Sequence, residues 1–505
     1  LSSIAKSTKQ QEMTTLAEYL KERREQEWRA DLRKKLKGKE RTDIPRVHMP
    51  EQNPNERVKY QNMEVNLGLS EEQALVEASR CMDCANPTCI EGCPVSINIP
   101  EFIKNIERKE YGLAAQTLKM TSALPAVCGR VCPQEKQCEE QCFYTTKLKK
   151  EPIAIGYLER FAADWERESG QMSVPECAPA NGIKIATIGS GPASLSFAGD
   201  MAKLGYDVTV FEALHEIGGV LKYGIPEFRL PNSVVDVELD NLKQMGVKFV
   251  TNFIVGRTAS FDDLKAEGFA GFFVASGAGL PRFMGIPGEN YNGIMSSNEY
   301  LTRVNLMGAA SDEYDTLVMR GKNVAVIGGG NTAMDSVRTA KRLGAERAMI
   351  VYRRSRVEMP ARVEEVKHAE EEGVEFMNLA NPIEYFADEK GRVNKMRVQF
   401  MELGEPDESG RRRPVPVEGA DKDIDVDLVI VAVGVSPNPL IPSCLPELKV
   451  SRWGTIEVGD NMQSSIPVLF AGGDIVRGGA TVILAMGDGR KAAASMHEYL
   501  TNEKK

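Results

Sequence analysis

Ile183-Lys184-Ile185-Ala186-Thr187-Ile188-Gly189-Ser190-Gly191-Pro192-Ala193-Ser194 is the stretch on which the reading of the fold turns. Its first six residues have a strand pattern, the Gly-Ser-Gly turn ends the strand, and a helical stretch runs on to about Gly205. A second strand, Asp207 to Phe211, ends at Glu212, 23 residues beyond Gly189. Strand, glycine turn, helix and acidic strand end, in that order, form a dinucleotide-binding unit. With no side chains at Gly189 and Gly191, backbone N–H groups can approach a pyrophosphate at the helix N-terminus, and Glu212 can accept from ribose hydroxyls. Ser194, at the third glycine position, still allows close packing of helix on strand.

The same unit recurs downstream. Asn323-Val324-Ala325-Val326-Ile327 runs into Gly328-Gly329-Gly330-Asn331-Thr332-Ala333, a helix to about Leu343, Gly344, and a strand from Ala348 to Tyr352. The interval from first glycine to helix-ending glycine is 16 residues in both copies, 189 to 205 and 328 to 344. Their ends differ in charge. Where the first copy has Glu212, the second has Arg353-Arg354-Ser355-Arg356. Guanidinium groups there would pair with a 2′-phosphate that a carboxylate would repel, so the second site is expected to prefer NADP(H); the alternative is a solvated arginine cluster. Two apolar strands ending in glycine, Phe272 to Gly277 and Leu428 to Gly434, flank this unit. The simplest account is a nucleotide domain over residues 295–435 inserted into a discontinuous flavin domain, with these strands leading out and back. Val468-Leu469-Phe470-Ala471-Gly472-Gly473-Asp474 then precedes Ala480-Thr481-Val482, which opens a final helix. That helix N-terminus, aimed at a flavin's pyrimidine edge, would stabilise the anionic reduced ring, and Asp474 would hold the ribityl chain.

Upstream, eight cysteines crowd between residues 81 and 142 in two blocks: Cys81, Cys84, Cys89, Cys93 and Cys128, Cys132, Cys138, Cys142. Both blocks contain Cys-Pro, and the first has spacings of two, four and three, two residues longer than a bacterial ferredoxin run. Soft thiolates suit iron–sulfur clusters and also zinc, and disulfides are a third option. No apolar leader opens the sequence, which points to a reducing cytoplasmic setting and away from disulfides. An electron carrier, unlike zinc, also explains the two dinucleotide units. The remaining cysteines, Cys177 and Cys444, read as ordinary thiols. Between them there is no cysteine, so the dithiol relay of a thioredoxin-reductase-like enzyme has no residues to run on.

With 505 residues, 42% hydrophobic and 27% charged, the chain is globular and too long for one core. A net charge of −9 argues against nucleic acid as a partner, and no apolar run reaches the roughly 20 residues of a membrane span. Residues 11–40 are dense in Glu, Arg and Lys around a thin stripe of Leu16, Leu20, Trp28, Leu32 and Leu36. The stripe reads either as a helix lying on its own protein or as a docking arm for another subunit. Pro and Asn between Asp43 and Asn55 suggest an extended linker. Pro100 to Thr121 reads as one amphipathic helix within a small helical domain, and Gly170 to Asn181 as a linker.

Taken together, the helical eight-cysteine domain, Gly189-Ser190-Gly191-Pro192-Ala193, Gly328-Gly329-Gly330-Asn331-Thr332-Ala333-Met334-Asp335 and Ala471-Gly472-Gly473-Asp474 with Ala480-Thr481-Val482 resemble the glutamate synthase small-subunit family. That family includes the large subunit of NADH-dependent reduced ferredoxin:NADP+ oxidoreductase and is similar to the N-terminal half of dihydropyrimidine dehydrogenase. The likeness spans roughly residues 60 to 500. It implies an α/β fold with two Rossmann-like domains after an α-helical iron–sulfur domain, divided into 1–60 (arm and linker), 61–175 (clusters), 176–294 (first FAD part), 295–435 (NADP(H)) and 436–505 (second FAD part). FAD is implied at the first site, with Gly219, Leu221 and Gly277 added to Gly189, Gly191, Pro192, Ala193, Glu212, Gly473, Asp474, Ala480, Thr481 and Val482. NADP(H) is implied at the second, with Gly328, Gly330, Asn331, Thr332, Arg353 and Arg354. Two [4Fe–4S] clusters are implied, one on Cys81, Cys84, Cys89 and Cys142, the other on Cys93, Cys132, Cys138 and Glu159, leaving Cys128 spare. Counting alone disagrees, since eight thiolates serve two clusters without a glutamate.

The resemblance implies an NADP(H)-dependent FAD/iron–sulfur oxidoreductase subunit that needs at least one partner electron-transfer chain. One expectation is an electron-bifurcating complex linking ferredoxin, NAD(H) and NADP(H), to which the segment Met401 to Gly410 looks closer. Another is the small subunit of NADPH-dependent glutamate synthase, delivering electrons to the FMN of a large subunit. A third, from another class, is a non-catalytic zinc scaffold, against which the intact glycines and Asp474 speak.

Overall fold

The two glycine-turn strands lie at the centres of two parallel sheets of identical design. The computed structural model describes residues 16–502. In the first sheet the order is Leu469–Ala471, Phe269–Val274, Lys184–Ile188, Asp207–Phe211 and Lys248–Val250, and in the second Ile294–Ser296, Leu428–Val431, Asn323–Ile327, Arg347–Tyr352 and Glu375–Asn378. Neighbours pair parallel throughout. Strands covered on both faces need continuous apolar runs, and Leu428–Val431 is buried at every position. The chain leaves the first sheet after Phe269–Val274 and returns to it only at Leu469–Ala471, so the second sheet is an insertion. The crossing is made by two short antiparallel strands, Leu280–Pro281 and Val435–Ser436.

One sheet was not anticipated from the sequence. Ala380–Ala387, Val393–Pro406 and Arg412–Asp425 form an antiparallel three-stranded sheet, and Tyr385, Met396, Val398 and Ile424 pack it on Ala325, Ile327, Met349 and Val351 of the second parallel sheet. It covers one face of the inserted domain. Among the described residues no helix is long and apolar enough to cross a membrane.

The cysteine-bearing domain is helical, and its core is continuous with that of the flavin domain: Phe102, Ile103 and Cys128 share one buried cluster with Phe197, Phe273, Met486 and Met496. The single helix expected over Pro100 to Thr121 is in fact two, Ile99–Glu107 and Tyr111–Lys119. Between them Lys109 adopts φ +65°, its N–H bonds Ile106 O, and Glu110 N–H bonds Asn105 O, which is a Schellman stop. Lysine at the left-handed position is why no glycine signalled the break.

The first part of the anticipated arm, residues 11–15, lies outside the described residues. From residue 16, three helices, Leu16–Arg24, Glu27–Lys35 and Gly38–Asp43, lie on the cysteine domain. Arginines dock them on that domain. Asp83, fully buried with φ +50°, accepts from Arg29 and from Arg33 (2.5 Å), while its carbonyl accepts from Arg24 (3.0 Å). Arg29 is itself buried, and Trp28 lies 3.8 Å from the Arg108 guanidinium. Removing one partner from a buried charge cluster costs about 3 kcal/mol. Arg29→Ala is therefore expected to lower the calorimetric unfolding midpoint of the domain, and an unchanged midpoint would show that the arm adds nothing to its stability.

Candidate functional site

Four of the cysteines line one small apolar cavity. Cys81 caps the helix Glu71–Arg80, Cys84 comes from the loop after it, Cys89 from the short helix Thr88–Glu91, and Cys142 arrives from the second block. Ile99, Ile103 and Ile155 complete the wall. Cys84 and Cys89 are partly exposed, whereas Cys81 and Cys142 are buried. Burial, reinforced by the neighbouring Cys81 and Cys142, pushes the Cys84 thiol up to about 12, and burial raises Cys81, Cys89 and Cys142 as well. Four thiols that resist ionisation alone, yet share one cavity, suit a polynuclear cation that would stabilise all four thiolates together.

The second group is closed to solvent. Cys93, Cys132 and Cys138 are buried, and each lies within the field of Glu159. Glu159, on the helix Ile155–Glu168, is 6% exposed, and its Oε1 has no hydrogen-bond partner. Burial, with a smaller contribution from Glu238, pushes its carboxyl up to about 8. An orphaned buried carboxylate oxygen beside these buried thiols is an atom free to serve as a further ligand. Cys128, also buried, lies within the same field of Glu159 and borders Cys132, and its sulfur is 3.5 Å from Met486 Sδ and 4.0 Å from Ser122 Oγ. Cys177 is exposed, and Cys444 donates weakly to Gly256 O at 3.5 Å.

Around the first glycine turn the backbone is packed to its limit. Gly189 has φ +93°, and a Cβ on it would lie 2.6 Å from Ala275 O. Gly219, at φ 55° and ψ −131°, comes so close to the turn that its Cβ would be 2.9 Å from Gly191 Cα. Pro192 and Ala193 open the helix Pro192–Lys203, with Gly191 at its N-cap. Glu212 is buried and accepts from Ser190 N (2.9 Å), Ser190 Oγ (2.6 Å) and Leu214 N (2.8 Å). Each carboxylate oxygen can accept at least two bonds and Oε1 takes only the one from Leu214 N, so it keeps capacity for a ribose hydroxyl. Leu221 is buried in the short helix Val220–Tyr223, and Gly277 takes φ +69° just beyond Phe269–Val274.

Across the sheet, Gly473 N donates to Asp488 Oδ2 (3.0 Å), and Asp474 Oδ1 accepts from Ala480 N (2.9 Å). Thr481 Oγ1 accepts from Leu484 N (3.4 Å) where the helix Val482–Asn502 begins. Burial raises the Asp474 carboxyl. Tyr223, not singled out by the sequence, lies within the fields of Asp474 and Glu212, and burial pushes its phenol up to about 12. A tyrosine two residues past Leu221 carries no motif that would have marked it.

At the second turn a cleft of about 700 Å³ opens. Gly328, Gly330 and Thr332 form its floor, and Arg282, Arg353, Arg354 and Arg411 lie along it, with no aspartate or glutamate in its lining. Asn331 stands beside the cleft, where its Oδ1 accepts from Arg362 N (2.9 Å). Arg353 is exposed; Arg354 is buried and spends its guanidinium on Asp407 Oδ2 (2.5 Å) and Arg412 O (2.8 Å). Glu51, Glu364 and His368 also bring ligand-type atoms within 4.8 Å of one another. Lys367 and Arg57 already neutralise Glu51, and Arg362 neutralises Glu364, so this group is a charge-balanced seam.

Two family models match the chain: dihydropyrimidine dehydrogenase domain II, 4Fe-4S cluster, over residues 57–171, and pyridine nucleotide-disulphide oxidoreductase over residues 183–489. The small chain of NADPH glutamate synthase from Azospirillum brasilense is 38% identical over 458 residues, 89% of this chain and 94% of that one. The beta subunit of NADP(+)-dependent formate dehydrogenase from Moorella thermoacetica is 39% identical over 436 residues, 82% of this chain and 60% of its own length. Mycobacterium tuberculosis FprA, solved with NADPH, shares the fold at a TM-score of 0.55 and 19% identity, over 65% of this chain and 86% of that one.

The crowding at Gly219 has a direct consequence. A branched side chain there meets both a forbidden dihedral, costing about 1–3 kcal/mol, and the glycine turn itself. Gly219→Val is expected to purify with less than about a tenth of the wild-type flavin, read from visible absorbance; full flavin content would show that the turn does not touch the cofactor.

Proposed function

This chain belongs to the family of the NADPH glutamate synthase small chains, and we propose on that premise that it is the NADPH-oxidising subunit of a larger electron-transfer complex. It is an NAD(P)H-dependent iron–sulfur flavoprotein oxidoreductase, with FAD, NADP(H) and 4Fe-4S iron–sulfur as its cofactors. When bound, FAD converts the two-electron chemistry of nicotinamide into single electrons and the clusters relay them.

The seating of the helix Val482–Asn502 carries this reading. The helix begins just after Asp474, Ala480 and Thr481, and along it Met486 meets Cys128 while a Cβ on Gly487 would lie 3.0 Å from Pro94 O, next to Cys93. The flavin site and the closed thiol group are thus joined by one packed contact. The open group, with Cys84 and Cys89 partly exposed, faces outward to a partner.

In this reading the backbone at Gly189, Gly191, Pro192 and Ala193 binds the FAD pyrophosphate, Glu212 the ribose and Asp474 the ribityl chain. Gly328, Gly330 and Thr332 bind the NADPH pyrophosphate, and Arg353 meets its 2′-phosphate. Cys81, Cys84, Cys89 and Cys142 hold one [4Fe–4S] cluster, and Cys93, Cys132, Cys138 and Glu159 a second. For the acceptor, the match along nearly the whole of the glutamate synthase small chain favours downhill delivery to a flavin on a separate chain. The bifurcating alternative, in which part of the current reaches a low-potential ferredoxin, is kept open by the match to a formate dehydrogenase subunit.

Anaerobic titration of the purified chain with NADPH tests the proposal. Bleaching of both flavin and cluster absorbance is expected. Flavin bleaching with clusters left oxidised places their potentials below the NADPH couple and moves the assignment to the bifurcating complex, and no bleaching at all overturns it. Glu159→Ala is expected to lose roughly half of the iron and one set of paramagnetic resonance signals, while Cys128→Ser keeps both sets. Loss of a cluster in Cys128→Ser would reverse the ligand assignment.

A further inference from the structure

We propose that Arg411, carried at the tip of the hairpin between Val393–Pro406 and Arg412–Asp425, grips the 2′-phosphate of NADP(H) together with Arg353, and that Arg354 acts by holding this hairpin in place. The inference rests on the reading of the second cleft as the NADP(H) site.

In a dinucleotide fold the residues that end the strand after the glycine helix meet the adenosine ribose. Here that strand is Arg347–Tyr352, and Arg353 and Arg354 follow it. They are not equivalent. Arg354 faces the hairpin: its Nη2 donates to Asp407 Oδ2 (2.5 Å) and its Nε to Arg412 O (2.8 Å). Asp407 in turn shapes the tip. Its Oδ1 accepts from Ser409 N (2.9 Å) and Ser409 Oγ (2.5 Å), its N–H bonds Arg411 O (2.8 Å), and Gly410 N–H bonds its carbonyl (2.8 Å) at a residue with φ +77°. An Asx-type turn of this kind fixes the exit direction of the chain. What it presents is Arg411, half-buried, on the wall of the same cleft that Gly328, Gly330 and Arg353 line.

The guanidinium of Arg411 donates to Ser409 Oγ (3.0 Å) and pairs with no carboxylate among the described residues, and neither does that of Arg353. Some arginines elsewhere on the surface pair with acids, as Arg397 does with Asp423 and Arg347 with Glu375, and others, such as Arg257 and Arg320, stand in open solvent; Arg353 and Arg411 differ from both in lining one cleft. Arg282, whose guanidinium donates to Ser436 Oγ (2.9 Å), also lines this acid-free cleft without an acid partner, so three uncompensated guanidiniums repel one another there, and a dianionic phosphate held by Arg353 and Arg411 removes part of that repulsion with charge-assisted hydrogen bonds. The ligand chemistry is a phosphomonoester on an adenosine, and the hairpin sheet becomes a specificity element.

Isothermal titration of the holoenzyme with 2′,5′-ADP, NADP+ and NAD+ tests this. Arg411→Ala and Arg353→Ala are each expected to weaken 2′,5′-ADP and NADP+ about 10- to 100-fold and NAD+ less than about threefold, with partial rescue in Arg411→Lys. If Arg353→Ala weakens 2′,5′-ADP and Arg411→Ala does not, the role of Arg411 falls while the cleft assignment stands. If neither does, although the wild type prefers NADP+, the 2′-phosphate lies elsewhere and both fall. A wild type without preference for NADP+ overturns the underlying reading. For the hairpin support, Arg354→Ala and Asp407→Ala are expected to weaken 2′,5′-ADP by similar factors and the double variant by no more than either. Additive losses would show Arg354 touching the phosphate directly.

Discussion

The architecture depends on the approach of two helices to van der Waals limit. Pro192–Lys203 leaves the first glycine turn, Val482–Asn502 leaves the Asp474 loop, and at Gly489 the second lies so near the first that any Cβ would overlap Ala193 O. Gly473 is pressed on the same spot, where its Cβ would be 3.1 Å from that of Ala193. This contact sets the flavin-side loops against the pyrophosphate turn. The outer face of the same helix supplies Met486 and Gly487 to the cysteine domain, which is why the two domains share one core. Distances relevant to electron transfer are therefore matters of packing, and apolar interiors at native density do not relax easily.

The inserted nucleotide domain is held by different means. Glu372 accepts from Arg338 (2.8 Å), Arg342 (2.6 Å) and Arg57 (2.9 Å), the last from the segment that precedes the cysteines. Arg229 of the flavin domain pairs with Asp335 (2.7 Å) and Glu365 (3.2 Å), and Phe228 lies 3.9 Å from the Arg342 guanidinium. Despite its burial, Glu372 is held well below the usual carboxylate range by Arg338 and Arg342. Buried ion pairs add little net stability. What they impose is pairing, since any other seating of the domain strands a charge away from water.

Local signals were legible wherever backbone chemistry forces a residue type. The turns at Gly189 and Gly328, the strands feeding them and the inserted order of the domains follow from glycine placement and apolar runs. The break at Lys109 was not legible, because a lysine occupies the position glycine usually marks. Nor was the sheet from Ala380 to Asp425, whose last strand is largely polar and exposed and whose long middle strand is mostly buried or half-buried; its existence follows from the face of the second parallel sheet it covers. Arg353 and Arg354, adjacent and alike in sequence, differ in role because Asp407, 53 residues later, claims only one of them.

Sequence alone determined the kind of chemistry: thiolates in two blocks, two glycine turns with opposite charge at their strand ends, and hence a chain that joins nicotinamide, flavin and iron–sulfur. Those features depend on residues a few positions apart, and short-range geometry limits their options. Tertiary structure decided which groups meet. It gathered Cys142 with Cys81, Cys84 and Cys89, left Glu159 Oε1 unpaired beside buried thiols, and set Arg411 on the wall of the nucleotide cleft. Such meetings depend on which distant surfaces exclude water from each other, and no local spacing encodes that.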